Sequence, residues 1–262
     1  EALLSVLSWA KYQVEQGACG VVITQGTDTL EETAVFFDYL WDCDEPLVLT
    51  GAMRSAKQAG AGGPANLLDA CRGALADSSR QRGVQVVMNG QIHQADCVRK
   101  TDSLALQAFS SPVFGPAGLL VEGVVRYSRP PAERRCLPLP QHTTQKVALL
   151  EASLSADTLL LENIPKLGYD GLVIAGFGAG HVSESWAAVI EQLADKIPVI
   201  VATRTGSGST AQATYGFIGS EMDLIRKGAH MAGFLCPRKT RVLLWLLLGG
   251  ERQHELARYL TT

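Results

Sequence analysis

The chain has 262 residues, 47% of them hydrophobic and 19% charged, with a formal net charge of −3. That balance suits a globular protein with a substantial core and excludes a disordered segment. The two signs of charge are interspersed, which excludes the basic stripe of a nucleic-acid binder.

The first residues already have helical spacing, with Leu3, Leu4, Leu7, Trp9, Ala10 and Val14 on one pattern. Short β-rich runs then alternate with helical ones. Gly20–Thr24, Pro46–Thr50 and Val84–Asn89 read as strands, with helices near Leu30–Trp41 and Pro64–Ala76 between them. Such alternation predicts βαβ units on a largely parallel sheet. From Tyr127 to Gln145 the periodicity stops, and Pro130, Pro131, Pro138 and Pro140 mark a linker. The alternation resumes with Lys146–Leu150, a helix, Gly171–Gly176, a helix over Glu184–Lys196 and Pro198–Thr203. A last helix starts at Pro237, a residue suited to a first turn, and ends at Gly249–Gly250. The expectation is an α/β protein of two α/β domains. A larger N-terminal domain with a mostly parallel sheet spans 1–130, a linker 131–145, and a smaller C-terminal domain 146–262.

Val242 to Leu248 is the longest strongly apolar run and is too short to cross a bilayer, so no membrane partner is expected. The six cysteines include no CxxC pair and read as separate thiols in a reducing cytoplasm. No His/Cys/Asp cluster has metal-ligand spacing, and neither metal nor cofactor is expected.

Candidate chemistry gathers at three strand ends. In Val21-Val22-Ile23-Thr24-Gln25-Gly26-Thr27-Asp28-Thr29-Leu30-Glu31-Glu32-Thr33-Ala34, a buried strand runs through a glycine-containing loop into a helix. Thr29 and Glu32 have the spacing of a capping box. Thr27 and Asp28 therefore fall at the carboxyl end of a parallel strand, where open α/β sheets place ligands. Locally, they serve equally well as helix caps. Leu49-Thr50-Gly51-Ala52-Met53-Arg54 closes the next strand with small residues, which admit close backbone approach. Behind the third strand comes Arg99-Lys100-Thr101-Asp102. A lysine there is ordinarily a solvated charge; in a partly dry site beside Asp28 it can orient or deprotonate a hydroxyl or a water.

Gly26-Thr27-Asp28-Thr29 with Glu31-Glu32-Thr33-Ala34 resembles a signature of the bacterial-type L-asparaginase family. Leu49 to Arg54 with Gly63-Pro64-Ala65-Asn66-Leu67, Lys100-Thr101, and Phe109 to Gly118 are similar to the family's following segments. So are Gly176-Phe177-Gly178-Ala179-Gly180, Thr205-Gly206-Ser207-Gly208, Tyr215-Gly216-Phe217 and Pro237 to Leu244, all in the family's order. The resemblance implies hydrolysis of L-asparagine to L-aspartate and ammonia through a threonine acyl-enzyme. It assigns Thr27, Asp28 and Lys100 to a proton-relaying group and Gly26, Thr27, Asp28 and Ala52 to substrate binding. The Asp28 carboxylate would take the substrate ammonium, and the Ala52 carbonyl the side-chain amide. His181 and Glu221 would approach a neighbouring subunit's site in a homodimer or homotetramer.

The chain also departs from the family's pattern. It contains no Thr-Gly-Gly-Thr, the motif of the nucleophile strand, and no Ser-Gln pair to grip the substrate carboxylate. On that ground it is expected to be N-terminally truncated and, as it stands, inactive. Gln25 stands where histidine is frequent, Gly62 where aspartate usually precedes Gly-Pro, and His181 where asparagine is common. Gly176-x-Gly178-x-Gly180 suggests a dinucleotide loop, but its third glycine comes one residue early. As a lone carboxylate Glu221 reads as a surface residue or cap, and His93, His142, His230 and His254 as packed or surface histidines. The alternatives are a glutaminase, a transamidation-type amidase, and an inert amino-acid-binding oligomer partner.

Overall fold

β-branched runs and amphipathic helices alternate through the first part of the chain in a computed structural model that describes residues 1–260. Helix α1 (Ala2–Glu15) precedes β1 (Val21–Thr24), α2 (Leu30–Leu40), β2 (Leu47–Thr50), α3 (Gly63–Leu75) and β3 (Val84–Met88). The three strands pair in parallel, Val21 opposite Leu47 and Leu47 opposite Val84. Every residue of β2 and β3 is buried. A sheet covered on both faces favours mostly apolar runs, with Thr50 and Gln85 the polar exceptions here, so these segments do not alternate. Ala70 and Ala74 of α3 pack with Val48 and Val87. Helix α3 comes so close to the start of β1 that a Cβ on Gly20 would lie 2.5 Å from the Ala74 carbonyl oxygen.

No strand is expected from the sequence between Asn89 and Tyr127, yet this stretch forms an antiparallel extension of the parallel core. Asn89 and Gly90 have φ of 50° and 74°, the left-handed pair that a two-residue hairpin turn needs. They send β4 (Gln91–Gln94) back along β3, with Met88 facing Gln91. A two-stranded ribbon follows, β5 (Arg99–Lys100) against β6 (Phe109–Ser110). Then come β7 (Gly118–Val121) and β8 (Val124–Tyr127), joined by a second left-handed pair at Glu122 and Gly123. The six-stranded order is β1-β2-β3-β4-β7-β8.

The proline-rich stretch after β8 is tied down in part. The Arg134 guanidinium donates to the carbonyls of Asp38 (3.0 Å) and Trp41 (2.7 Å), and the Cys136 thiol to the Trp41 carbonyl (3.1 Å). Burial pushes the Asp38 carboxyl up to about 6, against the opposing pull of Arg134 and the Val84 N–H.

The chain divides into two compact units, Glu1–Cys136 and Leu137–Thr262. The second contains β9 (Val147–Glu151), α4 (Leu159–Asn163), β10 (Gly171–Gly176), α5 (Glu184–Ala194), β11 (Val199–Thr203), α6 (Glu221–Arg226), β12 (His230–Met231) and α7 (Pro237–Gly249). Its four strands are all parallel, in the order β12-β11-β10-β9. Ile174 and Val201 pack on one side against Ala187 and Ile190 of α5. Leu243, Leu244, Leu246 and Leu247 of α7 are buried. A Cβ on Gly171 would fall 2.8 Å from Leu244 Cδ2, so the glycine lets α7 seat on the sheet. Among the described residues no helix is long and apolar enough to cross a membrane.

Candidate active site

The carboxyl end of β1 sets the site. The Gln25 N–H donates to the Thr50 carbonyl (3.1 Å), extending the β1–β2 ladder by one step. Gly26 is extended, and Thr27–Thr29 then form a single 3-10 turn into α2. The expected Thr29–Glu32 capping box does not form: Thr29 makes no side-chain cap bond. Its φ of −115° and ψ of 13° depart from the extended conformation that lets an N-cap oxygen reach the next amides. The 3-10 turn buries Thr27, which is 9% exposed, and carries Asp28 outward.

The end of β2 is drawn against this loop. A Cβ on Gly51 would lie 2.6 Å from the Gln25 carbonyl oxygen and 3.2 Å from the Thr27 methyl. Only glycine permits that approach, and it brings the backbone preceding Ala52 beside Thr27. Asn66 holds the arrangement: its Nδ2 donates to the Gly51 carbonyl (2.8 Å), and its Oδ1 accepts the Asn89 N–H (2.9 Å). One buried amide thus links the ends of β2 and β3.

Lys100 reaches the same point by a longer route than the sequence suggests. It does not directly follow the third parallel strand. The hairpin takes the chain away along β4, and the β5–β6 ribbon returns it. From β5 the Lys100 Nζ donates to Thr27 Oγ1 (3.0 Å) and to Asp28 Oδ1 (2.9 Å). The Lys100 side chain is 19% exposed but that of Asp28 is 96% exposed. The partly dry setting expected for the pair is therefore absent at Asp28, because the 3-10 turn holds its carboxylate outside the strand ends. An ion pair so open to water adds little to stability. Its interest is geometric: one amine satisfies a buried hydroxyl and an exposed carboxylate together.

Glu31 was not singled out from the sequence. It is 2% exposed, and its carboxylate accepts the backbone N–H of Lys100. The signal was present, since Glu31 stands three and four residues before the buried Ala34 and Val35 and so shares their helix face.

A second polar cluster lies wholly in the C-terminal unit. Glu221 is fully buried rather than a surface cap. Its Oε1 accepts the N–H groups of Thr214 (2.7 Å) and Tyr215 (2.6 Å), and its Oε2 lies 3.0 Å from His181 Nε2. Burial works to raise this carboxyl, yet those backbone donors and His181 hold it below its ordinary value. The His181 ring meets Tyr215 and Phe217 edge-on, with centroids 4.9 and 5.1 Å away. The loop Phe177–His181 closes on itself, the Phe177 N–H donating to the His181 carbonyl (2.8 Å) and Thr203 Oγ1 to Gly178. His93 is packed, with Nδ1 2.9 Å from Ser111 Oγ.

The structure thus brings Thr27, Asp28 and Lys100 together with Gly26 and the Gly51–Ala52 turn, and separately joins His181 to Glu221. Comparison with known proteins gives this geometry its class. The family profile "Asparaginase, N-terminal" matches residues 1–133, and "Glutaminase/Asparaginase C-terminal domain" matches 146–260. A "Probable L-asparaginase periplasmic" of Haemophilus influenzae is 37% identical over 235 residues, covering 87% of this chain and 66% of that protein. "L-asparaginase 2" of Escherichia coli is 36% identical over the same shares. Among solved structures, a "Probable Cytoplasmic L-asparaginase" from Campylobacter jejuni superposes with a TM-score of 0.85 at 34% identity, covering 97% of this chain and 84% of its own. The chain belongs to the asparaginase family, and it spans 66% of the length of the first two relatives.

Proposed function

We propose that this chain serves the hydrolysis of L-asparagine to L-aspartate and ammonia, with Thr27, Asp28 and Lys100 as the proton-handling group. The observation that carries the reading is the single Lys100 amine within hydrogen-bond reach of both Thr27 Oγ1 and Asp28 Oδ1. As an ammonium shared between Asp28 Oδ1 and Thr27 Oγ1, Lys100 can yield a proton to that carboxylate and take the Thr27 proton in its place, so that Thr27 Oγ1 accepts the proton of the attacking hydroxyl. A threonine hydroxyl attacks the amide carbon, the C–N bond breaks, and the departing nitrogen leaves as ammonia with the proton the relay returns. Water then cleaves the resulting ester, its proton taken by the same group.

In this reading the exposed Asp28 carboxylate receives the substrate ammonium, a charge-assisted contact, and the Ala52 carbonyl accepts the side-chain amide. Residues 1–130 carry this chemistry, 131–145 connect, and 146–262 form the C-terminal domain. His181 and Glu221 serve the site of a second copy in a homo-oligomer; the exposure of Tyr215 and Phe217 beside them supports that assignment. Six cysteines, all free thiols, favour a reducing compartment.

The nucleophile of the family's Thr-Gly-Gly-Thr strand is not among these 262 residues. A polypeptide of residues 1–262 is therefore expected to release ammonia from asparagine far more slowly than the usual enzyme range. The same polypeptide carrying a Thr-Gly-Gly-Thr strand at its front should be active. Turnover by residues 1–262 alone at about 1 s⁻¹ or faster would show that Thr27 itself can be the nucleophile; silence in both forms would refute the amidohydrolase reading.

A further inference from the structure

We infer that Glu31 is a positioning residue for the Thr27–Asp28–Lys100 group: by accepting the Lys100 backbone N–H it fixes the base of the lysine against the helix that begins behind Thr27 and Asp28. The inference rests on the reading of Lys100 as the proton-handling amine.

Three observations carry it. Glu31 is a carboxylate at 2% exposure on a helix whose other buried residues are Leu30, Thr33, Ala34, Val35, Phe36, Phe37 and Leu40. Burying a carboxylate there is costly unless polar partners compensate, and the Lys100 N–H, 69 residues away in sequence, is one of them. Second, Lys100 sits on a ribbon only two residues long per strand, Arg99–Lys100 paired with Phe109–Ser110. So short a ribbon fixes its own position weakly. Third, Thr27, Asp28 and Glu31 lie within five consecutive residues, across a 3-10 turn and the first turn of α2. The Lys100 ammonium meets that segment at Thr27 and Asp28, while its main chain meets it at Glu31. The lysine is held at both ends by one short rigid piece of chain, so rotation of its four-carbon stem is the only freedom left between them.

Removing the acceptor should let the Lys100 backbone shift relative to Thr27. A displacement of about 1 Å is enough to cost a large factor in rate when a reacting group must be aligned. Substrate binding should change little, because Glu31 is buried and makes no part of the proposed substrate contacts.

The test compares Glu31→Met, which keeps length and bulk without an acceptor, with Glu31→Gln, which keeps one. In a form carrying the Thr-Gly-Gly-Thr strand, Glu31→Met is expected to lower kcat about tenfold or more with KM changed less than about threefold. Glu31→Gln should keep most of kcat. In a Lys100→Met background, Glu31→Met should lower kcat little further, because its effect on the reaction runs through the lysine. A readout independent of activity uses residues 1–262: labelling of the Lys100 amine by trinitrobenzenesulfonate, followed by peptide mass spectrometry. It should quicken severalfold in Glu31→Met and stay at the wild-type rate in Glu31→Gln. If Glu31→Met does not fold, amide hydrogen exchange at Lys100 in the unmodified chain decides: slow exchange supports the contact, and exchange at the rate of an open loop overturns the inference. Equal losses in the Met and Gln variants, or full additivity with Lys100→Met, would also overturn it. If Lys100→Met is itself silent, the proton-handling reading is what has failed; if Lys100→Met is severe and Glu31→Met silent, only the role of Glu31 has.

Discussion

Thr27→Val is expected to remove most of kcat, by roughly 10²-fold or more, the lower end for a group that positions or passes a proton. Valine has the shape of threonine, and Thr27 is buried against the Gly51 turn, so the loop should close as before. What disappears is the oxygen that takes the Lys100 hydrogen bond, and with it the group proposed to accept the proton of the attacking hydroxyl. The measurement is steady-state ammonia release from asparagine in a form that carries the Thr-Gly-Gly-Thr strand, beside a thermal melt to show that the fold persists. A folded variant that keeps more than a tenth of wild-type kcat, a loss of about 1.4 kcal/mol of barrier at most, would make Thr27 no more than a buried turn residue.

Lys100→Met should depress kcat to a similar extent, about 10²-fold, while KM moves less. The split follows from the contacts: the ammonium engages Thr27 and one oxygen of Asp28, and the exposed carboxylate remains available to the substrate ammonium. Methionine retains the stem's packing and removes the charge, so the loss reports chemistry rather than a cavity. Lys57→Met, on an exposed loop, is the matching control for loss of one positive charge and should be nearly silent. If the two substitutions have equal small effects, the proton-handling role of Lys100 is refuted and its contacts with Thr27 and Asp28 are structural.

The parallel strands β2, β3, β10 and β11 were legible because burial on both faces favours mostly apolar runs, whereas the two-residue β12 was not. Gly171–Gly176 is a continuous apolar run bounded by loop residues, and Val84–Met88 is one interrupted only by Gln85. The antiparallel extension was not read, although its clearest mark was in view: Asn89-Gly90 is a hairpin turn in two residues. The strands it joins to the core are faint in sequence, because β4 and β7 are only four residues long and β4 is of mixed polarity. That omission gave Lys100 the wrong path to the strand ends, since it arrives on β5 only after the β3–β4 hairpin.

The site itself divides in the same way. Thr27, Asp28 and Ala52 follow directly from strand ends, where topology alone decides position. The Glu31–Lys100 and Asn66–Gly51 bonds join residues 69 and 15 apart, and no local pattern specifies such partners. Burial of Glu221 was missed for a related reason. Its compensation comes from the Thr214 and Tyr215 amides and from His181, 40 residues upstream, whereas a lone carboxylate at a helix start reads as a cap.

Thr27 and Lys100 are proposed to act as one unit, and the most direct test of that is the double variant Thr27→Val/Lys100→Met, with kcat measured against each single variant at saturating asparagine. Residues that perform one step together lose it once, so the double variant should be within about threefold of the more damaged single variant. A double loss equal to the product of the two single losses would contradict the account, because it would mean that the hydroxyl and the amine serve separate steps and that their 3.0 Å contact is incidental to the chemistry.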